Sequence, residues 1–455
     1  MITGQTLIDL GYKPSKWFKN VIDYANSNNL DSYGIHRYID SIVPKTIEPH
    51  SQPIVFHKNI VADNKHEQSN IDSVCKAMNN ILTIPTAVNA AIMPDACPTG
   101  PNDIPVGGIV VTKNAIHPSM HSADICCSMM ATDMGFTSPS RVLDAAFKIT
   151  HFGVGGRLNG LHHSLPSDLE EEIRQNYYLN SDKSLKYANT HLATQGDGNH
   201  FLFVGIRQSD NHTIMVTHHG SRGFGANLYK EGLYKADRFR QQISPNSSSK
   251  HPWIPFDTKE GRDYWEALQI TRKWTRHNHS IIHSLVSHKV CQLHGDRFWN
   301  EHNFVFKKDD LFYHAKGATP LDDSFVPDSY NGLRLIPMNM RDGILVVKGQ
   351  STETNLGFAP HGAGRNLSRS EHKRLRMGIT GKTQEEIFKD ETEGLDVRFF
   401  SGQPDITELP SAYKDATKVK EQIKQFNLGN IVDEILPYGC IMAGEIDKPW
   451  RKKKC

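Results

Sequence analysis

Five consecutive residues, His361-Gly362-Ala363-Gly364-Arg365, concentrate more chemistry than any other run in the chain. A neutral imidazole is a competent nucleophile at physiological pH. Glycine on either side of Ala363 tolerates a left-handed backbone and allows close approach to a ligand. Arg365 can neutralise an anion, and Ser368 is placed to cap a helix starting near Arg369, whose N-terminus favours negative charge. The combination suits attack by His361 on the α-phosphorus of a nucleoside triphosphate. Read alone, the same residues also describe an ordinary helix-entry turn with a solvated arginine.

Four polar clusters upstream change that balance: Asp124-Ile125-Cys126-Cys127, Gly198-Asn199-His200-Phe201, Thr217 to Gly223, and Glu301-His302-Asn303. Between them, Asp124, Cys127, His200, His218 and His302 supply one carboxylate, one thiol and three imidazoles, the donor types of a first-row transition-metal site assembled by folding. A structural zinc module would instead pair its ligands within a short loop, and no such spacing occurs. Taken singly, Asp124 also reads as a helix cap, His200 and His218 as satisfied core histidines, Asn303 as a turn residue and Tyr413 as a core aromatic. Cys126, next to Cys127, reads as a small packed hydrophobe.

The clusters, in this order, resemble the motifs of the RtcB-type RNA-splicing ligases. The matching elements are Asp-x-x-Cys at Asp124 and Cys127, Gly-Asn-His-Phe at Gly198–Phe201, and His-x-Gly-Ser-Arg-Gly at His218–Gly223. They continue with His302-Asn303, His361–Arg365, and Ala-Tyr-Lys-Asp at Ala412–Asp415. The resemblance runs from roughly Met93 to Gly444. It implies an RNA ligase of tRNA splicing or RNA repair, in which His361 becomes guanylylated by GTP. The guanylate then activates an RNA 3′-phosphate or 2′,3′-cyclic phosphate end for joining to a 5′-hydroxyl end.

By the same resemblance Asp124, Cys127, His200, His218 and His302 hold two Mn²⁺ ions, with the Cys127 sulfur bridging them. Asn199, Asn303, Asn339, Gly362, Ala363, Gly364 and Tyr413 contact the nucleotide, Tyr413 by stacking on the purine, and Arg222 binds an RNA phosphate through a bidentate fork. Thiolate and imidazole donors by themselves favour Zn²⁺, and Mn²⁺ lies lowest in the affinity series, so manganese comes from the resemblance alone.

The chain also departs from the family pattern. Asp95-Ala96-Cys97 stands where the family has Asp-Val-His, so any role of that histidine is lost. Phe203 occupies the acidic position of Gly-Asn-His-Phe-x-Glu, Pro337-Met338-Asn339-Met340 replaces Pro-Gly-Ser-Met, and Met442-Ala443-Gly444 replaces a near-terminal Lys-Gly. The metal and nucleophile motifs are retained and the base pocket is altered, which describes a divergent branch with weaker guanine selectivity. Two other readings stay open: a metal-dependent enzyme that processes RNA ends or uses another nucleotide, and an inactive RNA-binding paralogue.

These residues need a scaffold of mixed α+β class: a single large catalytic domain over residues 1–455, with central β-structure, surrounding helices and the metal site at strand ends. Short apolar runs predict strands at Ala87–Met93, Gly108–Thr112, Ile214–Thr217 and Gly343–Val347, and a hairpin from Phe304 to Tyr313. Helical spacing of Ile71, Val74, Cys75, Met78 and Ile81 predicts one helix. A long one is expected from about Arg262 to His294, with Trp265, Leu268, Ile282, Leu285 and Val286 in the core, and another from Ala412 to Phe426. His277, His279, His283, His288 and His294 fall in the long helix as surface or capped core residues. Pro94 to Pro105 and Ser244 to Pro255 read as loops.

The 455 residues carry a net charge of +2, so RNA contact requires a local patch; Arg451-Lys452-Lys453-Lys454 is one basic run. Seven cysteines without framework spacing, and no leader or membrane-length apolar span, indicate a reduced cytoplasmic protein. No motif names an activating protein partner.

Overall fold

The computed structural model describes residues 1–42, 46–157, 163–291, 295–326, 329 and 331–445. His294 and the Arg451–Lys454 run lie outside the described residues. The architecture is mixed α+β. One sheet has five strands in the order His57–Lys58, Ala87–Cys97, Val106–Lys113, Leu311–Lys316 and Asn303–Lys308. The larger, eight-stranded sheet runs Arg334–Asn339, Gly343–Lys348, Asn430–Met442, Phe201–Arg207, Thr213–His219, Ser128–Asp133 and Arg297–Glu301. Asp396–Phe399 is added alongside Asn430–Met442. Continuous apolar runs such as Ile344-Leu345-Val346-Val347 are buried along their length, which is why they lack polar alternation. The larger sheet curls until its edges meet, where Asn300 Oδ1 accepts from the Leu335 N–H at 2.9 Å.

The long helix spans Lys259–Lys289, with Thr258 as N-cap accepting from the Gly261 N–H at 3.0 Å. Its buried stripe holds Tyr264, Leu268, Thr271, Trp274, Asn278, Ile282 and Val286 at three- and four-residue spacing. Of the expected core residues, Trp265 and Leu285 are only partly buried. His277 is partly buried and His288 exposed, whereas His279 and His283 are fully buried and capped by hydroxyls of the sheet. Thr217 Oγ1 lies 2.6 Å from His279 Nδ1 and 2.7 Å from His283 Nε2. Ser128 Oγ lies 3.0 Å from His279 Nε2, and Thr132 Oγ1 2.6 Å from His283 Nδ1. These bonds tie the helix to the strands beside Cys127 and His218.

Three boundaries differ from expectation. The long helix ends at Lys289, with Val290 as its C-cap, short of the expected His294. The strand Ala87–Cys97 runs on through Pro94, because a register shift between Ile92 and Cys97 leaves that stretch without a cross-strand partner. The missing proline N–H therefore breaks no ladder bond. The last helix starts at Ala416 rather than Ala412: Pro410–Ala412 is a 3-10 turn, and Asp415 caps the helix by accepting from Thr417 N at 2.8 Å. Tyr413 and Lys414 thus lie in the extended approach to that helix. The other predicted strands and the helix Lys65–Ile81 fall where the periodicity places them. The helices Gly4–Asp9, Phe18–Ser27 and Ser32–Ile42 share a small apolar cluster of their own around Leu7, Val21 and Ile35. Among the described residues, no helix is long and apolar enough to cross a membrane.

Candidate active site

The five proposed metal donors converge because strand register brings their ends together. Phe201 pairs with His218 and Ser128 with His219, which sets His200, His218 and Cys127 at one end of the larger sheet. His302 occupies the joint between Arg297–Glu301 of the larger sheet and Asn303–Lys308 of the smaller one, and its N–H donates to Cys127 O at 2.9 Å. Cys126 adopts left-handed backbone, φ 58°, in the turn that carries Asp124 and Cys127. Gly220 leaves room for the Asp124 carboxylate, which a Cβ there would displace, its position lying 2.1 Å from Asp124 Oδ1.

The donor atoms form two overlapping groups, Asp124–Cys127–His200 and Cys127–His218–His302, with all atoms in each group within 4.8 Å of one another. Cys127 Sγ lies 3.2 Å from His218 Nε2 and 3.6 Å from His200 Nε2. His200 Nε2 is 3.1 Å from Asp124 Oδ2, and His218 Nε2 is 3.1 Å from His302 Nε2. The second ring nitrogens fix the tautomers: His200 Nδ1 donates to Gln195 O at 2.7 Å and His218 Nδ1 to Asn199 O at 3.0 Å. The Nε2 lone pairs of both rings therefore point inward, that of His200 toward the Asp124 carboxylate and the Cys127 thiol, that of His218 toward Cys127 and His302 Nε2. Converging acceptors of this kind fit a cation. Burial, and then neighbouring His200, push His218 down to about 3, so its ring stays neutral. Burial, followed by the Asp124 charge, pushes the Cys127 thiol up.

His361 follows the short strand Phe358–Pro360, and its ring centroid is 5.1 Å from that of His302. Its Nδ1 is bonded to Oδ2 of Asp95, which also accepts from the His361 backbone N–H at 3.0 Å. Asp95 is fully buried, while the His361 side chain keeps 18% of its exposure. This leaves Nε2 as the free nitrogen of the ring. Gly364 is required here: at φ 74° it packs on the backbone of Asp95, and a Cβ would lie 2.4 Å from Asp95 O.

A cavity of about 380 Å³ joins these groups. Asp124, Cys127, His218, His302, Asn199, Asn303, Asn339, His361, Gly362, Ala363, Gly364 and Tyr413 all line it. His200, only 6% exposed, reaches the donor cluster without forming part of the wall. Arg222 is also absent from the wall: Nη2 donates to Gly153 O at 2.9 Å and Nε to Thr194 Oγ1 at 3.3 Å. The amide of Asn339 is engaged in a turn, accepting from Arg341 N and Asp342 N and donating to Asp342 Oδ2 at 2.6 Å. Asn303 Oδ1 accepts from Gly317 N at 2.7 Å.

Arg365 is not a solvated anion-binding side chain. It pairs with buried Glu408 at 2.9 Å and covers one face of Tyr413 at 4.8 Å, while the Tyr413 hydroxyl donates to Glu408 at 2.6 Å. Ser368 does cap the helix Arg369–Thr380 through the Glu371 N–H. One wall of the cavity is apolar: Phe203, Met340, Ile344, Cys440 and Met442 belong to a single hydrophobic cluster, with Phe201 packed against it.

Sequence reasoning missed Asp95 as a partner of His361, Glu408 as the anchor of Arg365, and Lys316 and Cys97 as cavity residues. For Asp95 a signal existed in the Asp-x-Cys remnant of the family's Asp-Val-His element. Glu408 carries no motif and becomes visible only through the fold.

The family model described as tRNA-splicing ligase RtcB matches residues 158–443, more than half of the chain. That span holds His200, His218, His302, His361 and Tyr413, while Asp95, Asp124 and Cys127 precede it. The tRNA-splicing ligase RtcB of Pyrobaculum aerophilum is 26% identical over 419 residues, covering 74% of this chain and 84% of that protein. The one from Archaeoglobus fulgidus is 25% identical over 443 residues, covering 79% and 89%. The RNA-splicing ligase RtcB of Escherichia coli K12 is 26% identical over 353 residues, covering 69% and 81%. Coverage is smaller elsewhere, with 58% of the Aeropyrum pernix relative matched. A family model matched across His200, His218, His302 and His361, and relatives aligned over most of their length, establish that this chain belongs to the RtcB family.

Proposed function

We propose that the chain is an RNA ligase, acting in tRNA splicing or RNA repair, that joins a 3′-phosphate or 2′,3′-cyclic phosphate end to a 5′-hydroxyl end at the expense of GTP. The observation that carries this reading is the convergence of inward lone pairs and a carboxylate-held histidine in one cavity, in a family whose curated members are named RNA- or tRNA-splicing ligases. We treat residues 1–455 as one catalytic unit.

Asp124, Cys127, His200, His218 and His302 would hold the metal, with Cys127 common to both donor groups and so able to serve two ions. We assign Mn²⁺, with Zn²⁺ as the ion the thiolate and imidazoles would otherwise favour. When bound, such ions withdraw charge from phosphoryl oxygens. A reducing, cytoplasmic setting suits a site that depends on the Cys127 thiolate.

The chain's own residues do the rest. Asp95 holds the Nδ1 proton of His361, which leaves the Nε2 lone pair to attack the α-phosphorus of GTP. An N–P bond forms as the P–O bond to pyrophosphate breaks. An oxygen of the RNA 3′-phosphate then takes the guanylate, breaking the N–P bond and restoring the lone pair. The 5′-hydroxyl oxygen finally attacks the activated 3′-phosphate, GMP leaves, and the hydroxyl proton passes to solvent. A 2′,3′-cyclic end enters after ring opening by water. Asn199, Asn303 and the Gly362-Ala363-Gly364 backbone hold the nucleotide phosphates and ribose, Tyr413 and Asn339 border the base, and Arg222 meets an RNA phosphate outside the cavity.

One observation favours a variant of this reading, a changed nucleotide preference: the apolar wall around Phe203 beside the nucleophile. The inactive-paralogue reading is disfavoured by the intact His361–Asp95 pair. Incubation of the purified protein with each labelled nucleoside triphosphate and Mn²⁺ tests the proposal, an acid-labile covalent adduct being expected. Sealing of a 3′-phosphate RNA to a 5′-hydroxyl RNA tests the later steps. Absence of any adduct from a folded, metal-loaded protein would refute the mechanism.

A further inference from the structure

Asp95 and His361 are set by a third residue that the reaction scheme does not use. Lys414 follows Tyr413 in the extended approach to the last helix and is buried, with 7% of its surface exposed. Its Nζ donates to Pro94 O at 2.9 Å and to Ala96 O at 3.1 Å, the two carbonyls that flank Asp95. Its backbone N–H donates to Gly364 O at 3.0 Å, in the turn that begins with His361. Gly364 in turn rests on the backbone of Asp95. One side chain and its own peptide thus grip both halves of the pair.

We infer that Lys414 is a positioning residue for the nucleophile: it clamps the strand end carrying Asp95 to the turn carrying His361 and supplies the positive charge opposite the buried carboxylate. The inference rests on the reading of His361 as nucleophile. The strand end needs such a clamp because the stretch between Ile92 and Cys97 has no cross-strand partner, so its carbonyls must find donors elsewhere. The charge matters because Asp95 is fully buried and its Oδ1 has no hydrogen-bond partner, while Oδ2 is taken by His361. Without the ammonium the Pro94 and Ala96 carbonyls lose their donor, and the Asp95 side chain between them loses its fixed position against His361.

A merely structural lysine would lower stability without acting through Asp95. The discriminating experiment is a double-mutant cycle on single-turnover adduct formation with the full-length, Mn²⁺-loaded protein, using Lys414→Met, Asp95→Asn and the pair. Lys414→Met is expected to slow adduct formation by about 10- to 100-fold, the range for residues that orient a reacting group through a neighbour. Nucleotide affinity and metal content stay unchanged. In the Asp95→Asn background the same substitution is expected to change the rate by less than about twofold, because the two act as one unit. Multiplicative losses, or an affinity that falls in step with the rate, would overturn the inference.

Should Lys414→Met fail to fold, Lys414→Arg keeps the charge but cannot place one ammonium between two carbonyls. It is expected to melt near the wild-type temperature and still lose rate, and a wild-type rate from it counts against the clamp. A second readout needs neither metal nor nucleotide. The His361 Nδ1 proton held by Asp95 should give a strongly downfield NMR resonance in the metal-free protein that weakens in both Lys414 variants. An unchanged resonance would refute the clamp. If no nucleotide labels the wild-type protein, the proposed function fails, and the resonance still decides the role of Lys414.

Discussion

The Nε2 atoms of His218 and His302 face each other at 3.1 Å, and His218 has already spent its Nδ1 proton on the Asn199 carbonyl. Cys127 Sγ lies 3.2 Å from the same His218 Nε2, and His302 Nδ1 has no hydrogen-bond partner among the described residues, so nothing else fixes which His302 nitrogen carries the proton. A cation bound between these atoms would take the lone pairs and the thiolate together. Cys127→Ala is therefore expected to lose at least one metal ion per chain and nearly all adduct formation. Cys126→Ala should keep both at a stability cost of about 1 kcal/mol, the usual scale of a point substitution. Metal analysis of the two purified variants decides the matter, and equal losses would sink the assignment of Cys127.

His361→Ala is expected to abolish the covalent adduct while leaving the melting temperature and metal content close to wild type. The ring is partly exposed to the cavity, so its removal opens no core void, although it frees Asp95 Oδ2 of one of its two donors. A normal adduct yield from this variant would assign the nucleophile to another residue.

Base selection should be weak or shifted away from guanine. A site that reads guanine strictly presents acceptors to its N1–H and amine, and a mismatch there leaves buried groups unpaired at about 1–3 kcal/mol each. Phe203 and Met442 line the cavity at the places where the family resemblance leads one to expect polar side chains, Cys440 adds to the same apolar wall, and the Asn339 amide is held by its own turn. The Glu408 carboxylate is engaged by Arg365, Arg369 and Tyr413. Tyr413 remains, but stacking tolerates any base. Competition among the four nucleoside triphosphates at limiting concentration is expected to give mixed labelling, whereas an exclusive yield with GTP would show that backbone groups read the base.

Acid should destabilise the fold well before the carboxylates titrate. Burial holds His121 and His191 at about 4 and His314 at about 3, and it pushes His117, His279 and His283 well down. These folded-state values lie below the ordinary histidine value of about 6.5, so the unfolded chain takes up protons first as the pH falls. Their contribution is complete above about 6.5 and disappears as the pH drops toward about 4. Urea midpoints measured from pH 8 to pH 4.5 should fall continuously below pH 6.5; a flat profile down to pH 5 would contradict the buried neutral rings.

The parts of the site carried by contiguous motifs were readable in the sequence, because donor type and local spacing survive folding unchanged. Asp124 with Cys127, His200, His218 and His302 are of this kind. The strands that hold them were readable for a similar reason: full burial writes itself as unbroken apolar runs. Asp95 was not readable as the partner of His361. The two are 266 residues apart, and the prolines around Asp95 suggest a loop where an unpaired strand end exists. Glu408 was hidden for the opposite reason, since a carboxylate in a short 3-10 segment looks solvated until Arg365, Arg369 and Tyr413 fold over it. For His279 and His283 the sequence leaves surface and capped-core readings open, and the fold settles on the second because their hydroxyl partners lie on strands distant in sequence.

The grip of Lys414 on the Asp95 strand end has a bearing on synthesis. Every proposed cation donor has been synthesised once His302 is made, yet the nucleophile then lacks its own residue and its clamp for another hundred or so positions. Contacts that span such distances form late and slowly. A chain ending before Lys414 also lacks Asn430–Met442, the strand that pairs with Phe201–Arg207 next to His200, so the donor cluster and the steadied histidine both wait for the same late segment.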